Sequence, residues 1–398
     1  MTELIVLMGS GETTPTMIKP HRAILERVGD APAVLLDTPY GFQSNADDIS
    51  ARAVAYFKAS VGRDIGVVSW RRRDLPAVDA ERALATLRQA EWLFAGPGSP
   101  TYALSQWRDT SIPSLLTHSK VLVFASAAAL TLGSHAVPVY EIYKAGADPQ
   151  WVPGLDLFAQ LTGVPAVIIP HYDNAEGGHH DTRFCYLGEQ RLATMESWLP
   201  DESVIIGIDE HTAVLVDLPA ASVQVVGAGG MTLRRRGVSR FYPSGSVLEL
   251  AALADTSAAP VPAASEAAPA EPAETSVERA LSLGEIADAL EARFTDALAQ
   301  QDVSECVAAA LDLESAIDDW SADTNIGPDH EHARSLLRGM LVRLGQLASD
   351  AHEAVPSLVD SVRAAREKAR AARDFAMADA LRDALTGAGF TVQDTRIR

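Results

Sequence analysis

Val121-Leu122-Val123-Phe124-Ala125-Ser126-Ala127-Ala128-Ala129-Leu130 is the stretch on which the fold of this chain turns. Five apolar residues without polar alternation predict a strand buried on both faces, and the alanine run after them has strong helix propensity. Ser126 therefore stands at a strand-to-helix turn. That setting lifts a hydroxyl above a sheet and directs the next backbone N–H toward a developing oxyanion. The other reading is a serine that only caps the helix.

Apolar segments of the same kind recur at 4–8, 33–36, 65–70, 92–96, 167–169, 204–208 and 213–216, with helical patterns at 18–28 and 79–90 between the early ones. This alternation predicts an α/β domain over residues 1–254, built on a doubly wound, mostly parallel sheet. Functional residues then belong in the loops after the strands. From 255 to 275 the chain is Ala, Pro, Ser and Glu with no aromatic residue, a composition that reads as a linker. Residues 276–398 are expected to form a smaller all-α domain. One apolar stripe runs from Val355 through Phe375 to Leu385, Gly387 and Gly389 end the helix, and Phe390-Thr391-Val392 reads as a short strand.

The 398 residues carry a formal net charge of −20, which repels nucleic acid and anionic lipid at long range. The longest apolar runs fall well short of the ~18 residues a membrane span needs. Leu4–Met8 runs straight into a Gly-Ser-Gly turn and reads as a first strand, so a cytoplasmic location is expected. The two cysteines, Cys185 and Cys306, give neither a disulfide framework nor a metal spacing and read as small core residues.

Four segments resemble the dipeptidase E and cyanophycinase family of class I glutamine-amidotransferase-like serine hydrolases. Leu4–Gly11 is similar to the family's first strand and glycine turn, and Ala95-Gly96-Pro97-Gly98-Ser99-Pro100 to its glycine loop. Ile168-Ile169-Pro170-His171-Tyr172-Asp173 is similar to its strand-end histidine, and Gly207-Ile208-Asp209-Glu210-His211-Thr212-Ala213 to its G-I-D-E-x-T-A segment. The family elbow reads G-x-S-A-G-A. Here Phe124 and Ala128 replace its two glycines. The resemblance implies a nucleophile at Ser126, a general base at His171 and an orienting carboxylate at Glu210. It further implies oxyanion donors at Gly98 and Ala127, a site-lining turn at Gly96, and hydrolysis of a peptide-like or amide bond in an amino-acid-derived substrate. A non-catalytic binding scaffold is the other reading, motivated by the altered elbow. No cofactor is implied.

The loop after His171 is dense in polar groups. Asp173, Asn174, Glu176 and Arg183 are candidates for binding substrate, Arg183 through a carboxylate or in a surface ion pair. His179, His180 and Asp181 are of the types that ligate zinc or manganese, although spacing alone does not make a site. Pro138-Val139-Tyr140-Glu141-Ile142-Tyr143-Lys144 alternates like a half-buried strand or site wall, with Glu141 and Lys144 as substrate contacts or a local ion pair.

Residues 355–398 resemble the C-terminal region of cysteinyl-tRNA synthetases through K-A-R-x-x-R-D-F-x-x-A-D-x-L-R-D-x-L, which begins at Lys368. No HIGH-like or KMSKS-like motif occurs, so cysteine activation is not expected. Residues 360–398 hold eight Lys and Arg against six Asp and Glu, while 276–353 hold five against sixteen. That balance disfavours tRNA contact and favours docking to a partner or within the chain. The oligomeric state is not legible.

Overall fold

The computed structural model describes residues 1–177, 180–254, 281–320 and 328–392, the side chains of 350–357 excepted. The expected linker at 255–275 lies outside these residues. Packing groups the chain into two compact units, Met1–Ile286 with Ser315–Glu331, and Ala287–Glu314 with His332–Arg398.

The first unit is built on β1 (Leu4–Met8), β2 (Ala33–Leu36), β3 (Gly66–Val68), β4 (Trp92–Ala95) and β5 (Val121–Ala125), all parallel, in the order β1-β5-β4-β2-β3. Successive side chains of a strand point to opposite faces, and both faces are covered. Ile5, Leu7, Leu122 and Phe124 join one apolar cluster, while Leu4, Val6, Met8, Val121 and Val123 join the other. Burying each such side chain contributes roughly 1.5–3 kcal/mol. This is why these strands carry no polar alternation.

Two short strands, β6 (His135–Ala136) and β7 (Val152–Pro153), pair with each other. The remaining strands depart from a single parallel sheet. β8 (Ala166–Ile169) and β9 (Val204–Ile208) are parallel to each other but belong to a second, four-stranded sheet with β12 (Gly230–Arg235) and β13 (Val238–Pro243). β10 (Thr212–Asp217), β11 (Ser222–Gly227) and β14 (Val247–Glu249) extend the first sheet antiparallel beyond β1. The turn Asp209–Glu210–His211 thus carries the chain from one sheet to the other.

Pro138–Lys144 is not a strand. Tyr140–Lys144 closes a π-helical turn in which Ala145 N–H bonds to the Tyr140 carbonyl at 2.9 Å. Its apolar alternation reflects a turn with Ile142 buried and Tyr143 exposed.

Also in the first unit, Trp320 is 3% exposed and sets its ring 5.2 Å from that of His211. The second unit is helical. Leu283–Ala299, Val303–Asp319, Pro328–Ala371 and Phe375–Gly387 are the helices described from 281 onward. Phe294, Cys306, Leu313 and Met340 are buried there, and Arg343 stacks 4.6 Å above Phe294 while donating to Glu291 at 2.6 Å. The continuous stripe expected through Phe375 is interrupted at Arg373, which has φ 60°, and Asp374 caps the following helix by accepting from Met377 N–H at 3.1 Å. Phe375 is consequently exposed, and Phe390–Val392 forms no strand. Among the described residues no helix is long and apolar enough to cross a membrane.

Candidate active site

β5 delivers Ser126 with φ 49° and ψ −121°, a costly conformation for a residue bearing a Cβ. Its N–H is pinned to the Met8 carbonyl of β1 at 3.0 Å. The side chain makes no cap hydrogen bond. Instead Oγ lies 2.9 Å from His171 Nε2. The residues replacing the family glycines fit because both turn into the apolar cluster on one sheet face. Phe124 is fully buried with its ring 6.0 Å from Trp107, and Ala128 N–H donates to the Gly96 carbonyl at 3.2 Å.

His171 follows β8 and also has a left-handed backbone, φ 49°. Its Nδ1 is 2.6 Å from Glu210 Oε1, just beyond β9. In the neutral ring, Nδ1–H donating to Glu210 leaves the Nε2 lone pair facing the serine hydroxyl. Burial works against a charged imidazole, but the hydrogen bond and charge of Glu210, with Glu12 and Glu176 behind it, outweigh burial and hold the His171 pKa above its ordinary value. For Glu210 burial likewise opposes charge, and His171 and the Asn174 amide more than offset it, leaving the carboxyl below its usual range.

The two suggested oxyanion donors lie at the same cleft. Ala127 opens the helix Ala127–Thr131, where the first N–H groups have no acceptor within the helix. Gly98 has φ 139°, and a Cβ there would sit 2.1 Å from the Pro39 carbonyl oxygen, so only glycine fits. Ser126, Ala127, Gly98 and His171 line a cleft of about 500 Å³ together with Arg52, Tyr140, Tyr143, Lys144, Glu176, Cys185 and Tyr186. Burial pushes the Cys185 thiol up, so it is a neutral wall group rather than a nucleophile.

The other residues singled out in the sequence fall in several places. Glu176 lines the cleft. Asp173 and Asn174 do not; they hold Glu210, Asp173 Oδ1 accepting its N–H at 2.8 Å and Asn174 Nδ2 donating to Oε1 at 3.1 Å. Gly96 lies behind the cleft, its carbonyl fixing the start of the elbow helix. Arg183 is turned away to a two-pronged bond with Asp181, at 2.8 Å for each prong, which is the surface-pair reading. Asp181 is engaged there and by Glu189 N–H, and His180 is exposed. His179 lies outside the described residues. Among the described residues no group of three or more His, Cys, Asp or Glu is arranged to hold a metal ion. Glu141 accepts from Thr101 at 3.2 Å, whereas Lys144 lies 5.3 Å above the Tyr140 ring, so the two do not form the expected local pair.

Several wall residues had no signal in the sequence. Arg52 and Tyr40 come from the helix at Ala46–Tyr56 and the turn before it, and Tyr186 comes from an irregular segment. Glu12, 2% exposed, is a further surprise. Burial drives its carboxyl toward the neutral form, and Oε1 has no hydrogen-bond partner.

Among solved structures, the chain is similar to a peptidase from an acI-B1 actinobacterium, with a TM-score of 0.51 and 18% identity over 63% of this chain and 97% of that one. A putative peptidase E protein from Listeria monocytogenes EGD-e gives a TM-score of 0.38 and 12% identity over 59% of this chain and 99% of that one. No protein-family model and no curated protein matches the chain. At such identities the first likeness speaks for a shared α/β fold.

Proposed function

We propose that the protein is a serine hydrolase that cleaves an amide or peptide-like bond through Ser126, His171 and Glu210. The observation that carries this reading is the unbroken relay from Ser126 Oγ to His171 Nε2 at 2.9 Å and from His171 Nδ1 to Glu210 Oε1 at 2.6 Å, opening on the cleft. His171 takes the proton as Oγ attacks the carbonyl carbon, and Glu210 stabilises the imidazolium that forms. The Ala127 and Gly98 N–H groups meet the oxyanion. His171 then returns the proton to the departing amine, and water attacking the acyl-enzyme regenerates Ser126. The two residues whose oxygen and nitrogen would react, Ser126 and His171, both have strained left-handed backbones, Ser126 held by its N–H bond to the Met8 carbonyl and His171 by its carbonyl accepting from Cys185 N–H.

The test is a fluorophosphonate probe applied to the full chain. Labelling of the wild type that is lost in Ser126→Ala supports the hydrolase. Equal or absent labelling in both, with no Ser126-dependent amidase activity, leaves the non-catalytic scaffold as the better account.

A further inference from the structure

His211, the residue after Glu210, has φ 52°, a left-handed backbone that is costly for a residue bearing a Cβ. Such a conformation persists only where its surroundings fix it. Two groups press on its ring. A Cβ on Gly11 would sit 2.1 Å from His211 Nδ1, so the ring lies directly against that α-carbon. Trp320 sets its own ring 5.2 Å away with 63° between the planes, the edge-to-face geometry that aromatic pairs prefer. Trp320 is in turn anchored, 3% exposed and with its carbonyl oxygen 3.2 Å from His330 Nε2.

Glu210 is held from the loop after β8 by Asp173 and Asn174, which bond its N–H and Oε1 at 2.8 and 3.1 Å. In the other direction the chain runs through His211 into β10, which is fixed by its pairing with β1. Gly9 N–H also donates to the Thr212 carbonyl at 3.0 Å. With β10 fixed, a change of φ at His211 is taken up by the planar peptide that it shares with Glu210. The contact exposed to that movement is the one at 2.6 Å between Glu210 Oε1 and His171 Nδ1. Trp320 does not line the cleft, so it reaches the chemistry through this turn.

We infer that Trp320 is a positioning residue for Glu210: packed on His211, it holds the turn at which the carboxylate meets His171. The inference rests on the hydrolase reading for what that carboxylate does in turnover. A segment beyond the expected linker then belongs to the machinery of the α/β unit.

The His171 imidazole reports the contact without any turnover. Burial lowers its pKa, and the hydrogen bond and charge of Glu210, then Glu12 and Glu176, outweigh burial. Asp173 and His211 interact with it as well, and His211 itself faces Asp329 and His330. Cys185 and Tyr186 beside it are kept neutral by burial. In full-length protein carrying isotope-labelled histidine, the His171 resonance is identified by its loss in His171→Gln. Its titration midpoint is expected to fall in Trp320→Ala and to fall less in Trp320→Phe. Fluorophosphonate labelling, measured well below each melting transition, is expected to slow by about 10- to 10²-fold in Trp320→Ala. His211→Asn removes the ring and leaves a residue that tolerates the left-handed backbone. It is expected to reproduce the shift, with little further change when a Trp320 substitution is added to it. If Trp320→Ala does not fold, Trp320→Phe and His211→Asn decide the matter. An unmoved His171 midpoint in the folded variants overturns the inference, as does a Trp320 effect that adds in full to that of His211→Asn. Absence of Ser126-dependent labelling in the wild type removes the hydrolase instead, and the His171 titration then judges Trp320 alone.

Discussion

Exchanging the Glu210 carboxylate for an amide in Glu210→Gln is the sharpest change available at the relay, because it keeps the shape and removes the charge that holds the His171 pKa up. A base must be neutral to accept a proton. Wild-type activity is therefore expected to rise with pH through a value above the ordinary 6.5 of histidine. In Glu210→Gln burial prevails, so this limb moves to lower pH while turnover falls by roughly 10²–10⁴; a pH–rate profile of both proteins checks it. The neighbouring Asp209 gives a second prediction. Burial first, then the charge of Asp173, pushes its carboxyl from 3.8 up to about 7, although Gly230 N–H bonds to it at 2.8 Å. A raised folded pKa means stability that is full below about 4 and lost as pH rises toward and past 7. Asp209→Asn is expected to flatten that dependence and to stabilise the protein at pH 8 by on the order of a few kcal/mol, read from urea unfolding across pH. The position of Ser126 at a turn was legible because an apolar run stops there and alanines begin. That its flanking Phe124 and Ala128 would share one face of the sheet was not, since it depends on Trp107 arriving from another helix.

The elements that build the cleft were unevenly visible. Strands buried on both faces announce themselves by unbroken apolar runs, and the segments at 4–8, 33–36, 121–125 and 204–208 are strands over those very residues. The division into two sheets was hidden, because the pattern of β8 and β9 is the same whichever sheet they join. Of the two readings of Pro138–Lys144, the site wall agrees with Tyr140, Tyr143 and Lys144 lining the cleft, and the strand fails because a short π-helical turn with one buried side chain mimics a period of two. The left-handed run at 184–186 has no glycine or asparagine to signal it. At the glycine loop the steric demand is explicit. Gly98→Ala must shift the loop away from the Pro39 carbonyl. It is expected to lower the fluorophosphonate labelling rate by about 10- to 10³-fold and to reduce the melting temperature by several degrees, roughly 2–4 °C per kcal/mol for a domain of this size.

For the molecule as a whole, composition and packing draw different lines. The change to Ala, Pro and Glu after residue 254 marks one boundary, yet Ser315–Glu331 packs with the α/β unit, and Trp320 is buried against His211, the residue after Glu210. His211 is itself confined, with φ 52°, its ring pressed against the α-carbon of Gly11 and its Nδ1 3.4 Å from Thr14 Oγ1. Trp320→Ala is expected to destabilise this unit by about 3–5 kcal/mol, visible as a lower urea midpoint, with smaller effects from Trp320→Phe. No pattern of charge or hydropathy in the acidic helices marked Trp320 for this role, since a single aromatic has no periodicity to read. The excursion of the chain has a practical corollary for anyone dissecting it. A deletion library cut at the proline-rich segment would remove the tryptophan packed on His211 along with the helices, and would credit to the helices a loss that includes that of this ring.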